Sequence, residues 1–220
     1  MITVYGPAYS VYTRIVRVVL EEKGAAYRLE EVDFISGGMP EAQKDRHPFG
    51  VVPALEHDGE IFFETGPICV YLDEVLEGLP LRPADPAGRA HLAATVAALD
   101  QYIWPDIREL TTQAIFAAHV GGWPDDTVTA RMVKRLTDTL AILQTRFVET
   151  GLLGGPSISL ADLHAAPMFA YLAQTVEGQM LLRDIPGLAG WWDGLKDRPS
   201  LTATQFDLKD YPWARRESPD

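Results

Sequence analysis

Cysteine is nearly absent: Cys69 is the single one in 220 residues. That excludes an internal disulfide and any paired-cysteine redox or zinc motif. Basic residues are also scarce, 19 Lys and Arg against 31 Asp and Glu, for a net charge of −12. A face that binds nucleic acid needs an excess of cations, so nucleic acid is not an expected partner, and an anionic membrane surface is disfavoured. No apolar run approaches the ~20 residues that span a bilayer. The Met-Ile-Thr-Val start runs directly into a strand pattern, without a basic stretch and apolar core, so we read no signal peptide and expect a cytoplasmic protein. The five histidines (His47, His57, His91, His119, His164) form no i, i+4 pair and no metal-ligand pattern, so no metal is expected. There is no internal repeat and no low-complexity tract.

What is present falls into two parts. Ile2 to Tyr5 reads as a short β-branched strand. From Val11 the period becomes helical, with Tyr12, Val16, Val19 and Leu20 on one face, Arg14, Arg17 and Glu21 on the other, and Gly24 at the end. A second strand is expected over Tyr27 to Val32 and a helical turn near Glu41 to Arg46. Val51 to Leu55 and Ile61 to Phe63 read as a hairpin closed by Asp58-Gly59, a pair suited to a type I′ turn. Pro53 in its first strand cannot donate to a ladder, so that strand is at an edge, bulged or specialised there. Ile68, Tyr71, Leu72, Val75 and Leu76 then form a helical stripe, for which Thr65 suits the N-cap and Pro67 the first turn. Residues 1–78 are thus an α/β unit of order β-α-β-(α)-β-β-α. The Pro- and Gly-rich "GLPLRPADPAG" supplies a linker over 79–88. From 89 to 220 only helical patterns remain: 89–118 with Pro105 as a break, 125–150 led in by Pro124, one opening at "SISLAD", and a shorter one near Trp191-Trp192.

Several residues are candidates for chemistry. Ser10 stands in "GPAYSVYTR", where a strand turns into a helix, and suits the helix N-cap. Its hydroxyl could equally face a ligand over that helix end, whose free N–H groups and partial positive charge favour an anion such as a thiolate. From spacing alone both roles stay open. Val52-Pro53 is a candidate cis peptide, and a proline there leaves neighbouring backbone groups free for an extended ligand. Glu64 and Thr65 stand at the next helix N-terminus, where amides and a hydroxyl can hold a carboxylate and Glu64 can receive an ammonium. "SISLAD" reads as a capping box of Ser159 and Asp162, a folding device and not a catalytic acid. Cys69 flanks an apolar stripe and reads as packing. Tyr102, Trp104 and Arg108 lie near the Pro105 break and are candidates for lining a cleft.

In this order and spacing, "SVYTRIVRVVLEEKG", "HPFGVVPAL", "ETGPICVYLDE", the Pro-rich linker and "SLADLHAAP" resemble the soluble glutathione transferase superfamily, over the whole chain, in its serine-type (theta-, zeta-, tau- and phi-like) form. The resemblance implies a thioredoxin-like α/β N-terminal domain that binds glutathione, and an all-α C-terminal domain that binds substrate. It implies that the Val52 backbone, before a cis Pro53, pairs with the cysteinyl part of glutathione, and that Glu64 and Thr65 hold the γ-glutamyl end. Ser10 then donates to the glutathione sulfur, with Tyr5 as the alternative, since tyrosine-type classes place theirs at the end of the first strand. Lowering a thiol pKa of ~8.5 by ~2 units needs about 2.7 kcal/mol. A hydroxyl bond to a charged acceptor at ~1.5–3 kcal/mol, with the helix end, supplies that. The thiolate would attack a small hydrophobic electrophile, with Tyr9, Tyr12, Tyr102, Trp104 and Arg108 as candidate pocket residues. Glutathione is the co-substrate and a homodimer is implied, with detoxification as the role. Alternatives on the same fold are a glutathione-dependent isomerase, dehalogenase or etherase, or a non-catalytic partner-binding protein. Three positions depart from the family pattern: His47 replaces a frequent Asn, Val51 replaces the Lys or Gln that holds the glycyl carboxylate, and "SGGM" (Ser36 to Met39) offers no cation, leaving Lys44 or Arg46 to substitute.

Overall fold

The computed structural model describes residues 1–35, 37–116, 125–146, 151–185, 187–207 and 210–211. Packing divides the chain into two compact units, Met1–Leu81 with Pro199–Trp213, and a second built on Arg82–Arg198. The expected boundary put all of 89–220 in the second part; instead the chain returns to the first unit at Pro199.

In the first unit four short strands form one sheet: β1 (Ile2–Tyr5), β2 (Tyr27–Glu30), β3 (Ala54–His57) and β4 (Glu60–Phe63). Their order is β2-β1-β3-β4, with β1 parallel to β2 and antiparallel to β3, and β3 antiparallel to β4. Ile2 and Val4 alternate inward with Thr3 and Tyr5, the period of a half-buried strand. β3 begins only at Ala54, not at Val51. Pro53 has no N–H for the ladder, and the Val52–Pro53 peptide bond is cis. Asp58 and Gly59 both have positive φ, 52° and 88°, which a type I′ turn requires.

Helix α1 (Val11–Glu22) packs against α3 (Thr65–Val75), while α2 (Glu41–Arg46) lies near β4. The expected polar face of α1 is not at the surface. Arg14 and Arg17 are buried because the last described helix, α10 (Pro199–Ala203), covers them. Arg14 donates to Leu201 O at 3.0 Å and to Thr204 Oγ1 at 3.3 Å, and Arg17 donates to Thr204 O at 3.5 Å. These carbonyls close the C-terminal end of a helix, where they lack intrahelical donors and carry partial negative charge. At the other end of α1, Lys23 pairs with Asp73 at 2.7 Å, both side chains almost fully buried. Lys23 also donates to Leu79 O, and Asp73 accepts the Leu81 N–H. The expected linker is therefore shorter than 79–88. Leu79 and Leu81 belong to the first unit, and Pro86–Gly88 open α4 behind an Asp85 cap.

The second unit is helical. Its elements are α4 (Pro86–Ala98), α5 (Trp104–Thr111), α6 (Asp126–Leu143), α7 (Leu160–Leu172), α8 (Val176–Asp184) and α9 (Leu188–Leu195). Pro105 does not end its helix. A π-helical segment, Leu99–Ile103, leads straight into α5, and its wider turn relieves the clash between a proline ring and the carbonyl one turn earlier. The helical patterns of 89–118 and 125–150 are seen through residues 116 and 146; the rest of both, with Ser36, His119 and Pro124, lies outside the described residues. Helix α7 is buried along almost its whole length, and the capping box is formed at its start. Asp162, fully buried, accepts from Ser159 N–H and Oγ–H, from Leu153 N–H and from Trp191 Nε1–H, all between 2.7 and 3.1 Å. No helix among the described residues is long and apolar enough to cross a membrane.

Candidate active site

The sheet register assembles the site. Glu30, Tyr5, Ala54 and Phe63 lie side by side in one row across the four strands. Each chain direction is such that the turn carrying Ser10, the Val52-Pro53 pair and the Glu64-Thr65 pair all leave the sheet at that one end. It is the carboxyl end of the two parallel strands, and the N-termini of α1 and α3 open there. Ligands of open α/β sheets collect at such an end. Residues separated by more than fifty positions are thus brought to one edge.

Ser10 caps α1, as its spacing allows: Oγ accepts the Thr13 N–H at 3.4 Å, with φ −68° and ψ 125°. That bond is long, and it uses only the accepting side of the oxygen. Among the described residues the Ser10 proton has no acceptor, so capping and donation to a ligand are compatible. Behind Ser10, Thr13 is fully buried against Gly6, where an added Cβ would lie 2.3 Å from Thr13 Oγ1. Thr13 is structural.

Tyr5 is placed otherwise. Its hydroxyl donates to Glu56 Oε2 at 2.6 Å, and the Arg46 guanidinium lies 3.8 Å from its ring centre. The bond to Glu56 and burial raise its pKa, with Arg46 opposing. A phenol whose proton is already held by a carboxylate is a poor donor to a thiolate. A small cavity of about 200 Å³ next to it is lined by Glu30, Glu31 and Asp33 with Arg46, a predominantly acidic wall.

Tyr9 is buried between Phe34 and Tyr211, with ring centroids at 5.9 and 4.8 Å, and so backs the turn instead of walling an open pocket. Burial raises its hydroxyl pKa, and pushes that of Tyr211 up to about 12, with Glu31 adding to the latter. Glu31 Oε1 accepts both the Ala8 N–H and the Tyr211 hydroxyl, tying the turn before Ser10 to the segment beyond α10. Tyr12 is partly exposed. In the helical unit, Trp104 packs on Tyr171 and is part of that unit's core, a role its sequence position near Pro105 did not show. Tyr102 and Arg108 are exposed.

At the start of α3 the N-cap is Glu64, with Thr65 the first helical residue; the sequence had put the cap on Thr65. Glu64 has φ 68° and ψ 124°, sparsely populated for a residue with a side chain. Such backbones cost on the order of 1–3 kcal/mol and cluster at functional sites. Its carboxylate makes no capping bond, so both that group and the first amides of α3 are open to a ligand. Two supporting residues escaped the sequence. Gln43, the one buried residue of α2, donates from Nε2 to Val51 O at 2.9 Å and fixes the backbone leading to Val52. His47 is buried with Nε2 3.9 Å from Glu64 Oε1. Of the two cations named as substitutes for one at Val51, Lys44 pairs with Glu41 and Arg46 lies over the Tyr5 ring. No cluster of metal-ligating side chains occurs among the described residues.

Two family models match, "Glutathione S-transferase, N-terminal domain" over residues 4–78 and "Glutathione S-transferase, C-terminal domain" over 109–199. Glutathione S-transferase F14 of Arabidopsis thaliana is 33% identical over 192 residues, covering 84% of this chain and 75% of its own. Among solved structures, glutathione transferase F7 of Populus trichocarpa superposes with a TM-score of 0.84 at 28% identity, over 93% of this chain and 97% of that one. Maize glutathione S-transferase I, in complex with an atrazine glutathione conjugate, gives 0.84 at 25% identity, over 92% and 95%.

Proposed function

Because this chain belongs to the glutathione S-transferase family, we propose that it conjugates the thiolate of glutathione to a small hydrophobic electrophile, with Ser10 as the activating group. The observation that carries this reading is the uncommitted Ser10 proton at the sheet end where Val52-Pro53 and Glu64-Thr65 also emerge. Glutathione lies extended along Val52, whose backbone N–H and C=O pair with the cysteinyl residue. Glu64 receives the γ-glutamyl ammonium, and Thr65 with the first amides of α3 holds the γ-glutamyl carboxylate. The cysteinyl sulfur then lies over the N-terminus of α1.

Ser10 Oγ–H donates to that sulfur and favours its ionised form, together with the positive helix end. The thiol proton leaves to solvent. The sulfur lone pair forms a C–S bond at the electrophilic carbon, and the leaving group departs with its bonding pair. Candidates for contacting the electrophile are Tyr102 and Arg108 of the helical unit and Tyr12 of the first unit. A cytoplasmic homodimer acting in detoxification is part of the same proposal. Val51, which offers no charge to a glycyl carboxylate, keeps one other reading in view: a protein that binds glutathione or a partner without turnover.

One titration separates the readings. Thiolate absorbance of bound glutathione, followed against pH, is expected to give a pKa more than one unit higher in Ser10→Ala and unchanged in Tyr5→Phe. The reverse result would end the Ser10 assignment. Bound glutathione with an unshifted pKa and no conjugation of a generic aryl halide would favour binding without catalysis.

A further inference from the structure

We infer that His47 is a positioning residue for glutathione, orienting the Glu64 carboxylate through its Nε2–H; this rests on the proposed role of Glu64 as the ammonium ligand. The ring is 1% exposed and packs against Phe49 and Phe63, with centroids at 6.2 and 5.3 Å. Its tautomer follows from its bonds. Nδ1 accepts the Phe49 N–H at 3.4 Å, so in the neutral ring the proton sits on Nε2. That N–H faces Glu64 Oε1 across 3.9 Å, beyond hydrogen-bond reach, so its pull on the carboxylate is that of a dipole on a charge. Glu64 needs such a guide, because its side chain is 56% exposed, makes no capping bond, and rises from a backbone of positive φ.

The protonation state decides the effect. A neutral N–H donor orients a carboxylate and leaves its charge available to an ammonium. An imidazolium at the same place cancels that charge and repels the ammonium. Burial lowers the ring's pKa and so favours the neutral form, against the opposing pull of Glu64. Glu64 faces the ring from the β4–α3 turn; on its own helix Lys44 pairs with Glu41, Arg46 lies over Tyr5, and Asp45 is exposed. Ligand binding should therefore weaken as pH falls below the ordinary histidine range. Between pH 5 and 7 the α-carboxyl group of a peptide ligand stays ionised and its α-amino group stays mostly protonated, more fully so at the acid end, which cannot account for weaker binding there.

The test uses S-methylglutathione, which has no ionisable thiol, with its Kd measured by calorimetry from pH 7 to pH 5. Wild type is expected to weaken about fivefold across that range. His47→Gln keeps a donor but cannot titrate, so it should bind as wild type at pH 7 and stay flat. His47→Leu should bind about fivefold more weakly at pH 7 and also stay flat. If all three share one Kd and one profile, the inference is overturned; should the Leu variant fail to fold, the Gln profile decides alone. Glu64→Gln tests the underlying reading separately. It should weaken binding at least tenfold at every pH, and an unchanged Kd would remove the Glu64 role and the inference with it.

Discussion

Ser10 does two things with one oxygen, accepting from the Thr13 amide and keeping a proton to give. Loss of an N-cap costs about 1 kcal/mol, and the 3.4 Å bond puts this one no higher. Ser10→Ala is expected to lower Tm by roughly 2–4 °C, as about 1 kcal/mol does for a protein of this size. Calorimetry on the unliganded protein checks this apart from any effect on the thiol. His47 carries a second residue-scale consequence. Its folded pKa is depressed below the ordinary ~6.5 mainly by burial. As pH falls, the unfolded chain takes up the proton first, so stability is full above the ordinary value and declines through it towards the folded pKa. Urea unfolding at pH 7.5 and 5.5 should show that loss in wild type and less of it in His47→Gln.

At the scale of elements, the two helices that matter most for the cores are held by polar groups buried in them. Helix α1 has Arg14 and Arg17 under α10, and α7 has Asp162 with four donors converging on it. Asp162→Ala leaves those donors without an acceptor inside the protein, at ~1–3 kcal/mol for each unsatisfied buried group. We expect a loss of more than about 3 kcal/mol, read as a drop in denaturant midpoint at unchanged m-value, or a chain that does not fold. The Ser159–Asp162 box was legible because capping is local: it depends on residues three apart. The strands, the Asp58-Gly59 turn and the Glu41–Arg46 helix were legible for the same reason. Arg14 and Arg17 were not. Periodicity separates a polar face from an apolar one, but it cannot say that a segment some 190 positions later will cover the polar face and satisfy it. His47 and Gln43 were illegible in the same way, since their partners, Glu64 and Val51, are set by tertiary placement.

For the whole molecule, the first unit is made from two stretches far apart in the chain, Met1–Leu81 and a segment that begins at Pro199. A fragment of residues 1–81 would retain the sheet register but expose the Arg14 and Arg17 side of α1. It should show no cooperative thermal transition, whereas the same fragment joined by a flexible linker to residues 199–211 should regain one. A cooperative transition in the bare fragment would show that α10 is dispensable. The same arrangement sets a timetable for synthesis. At ~5–20 residues per second, the roughly 120 residues between Leu81 and Leu201 take about 6–24 s to emerge. Throughout that interval the stretch that carries the sheet exists with its first helix still uncovered, and a segment made long after it is the one that lets it finish folding.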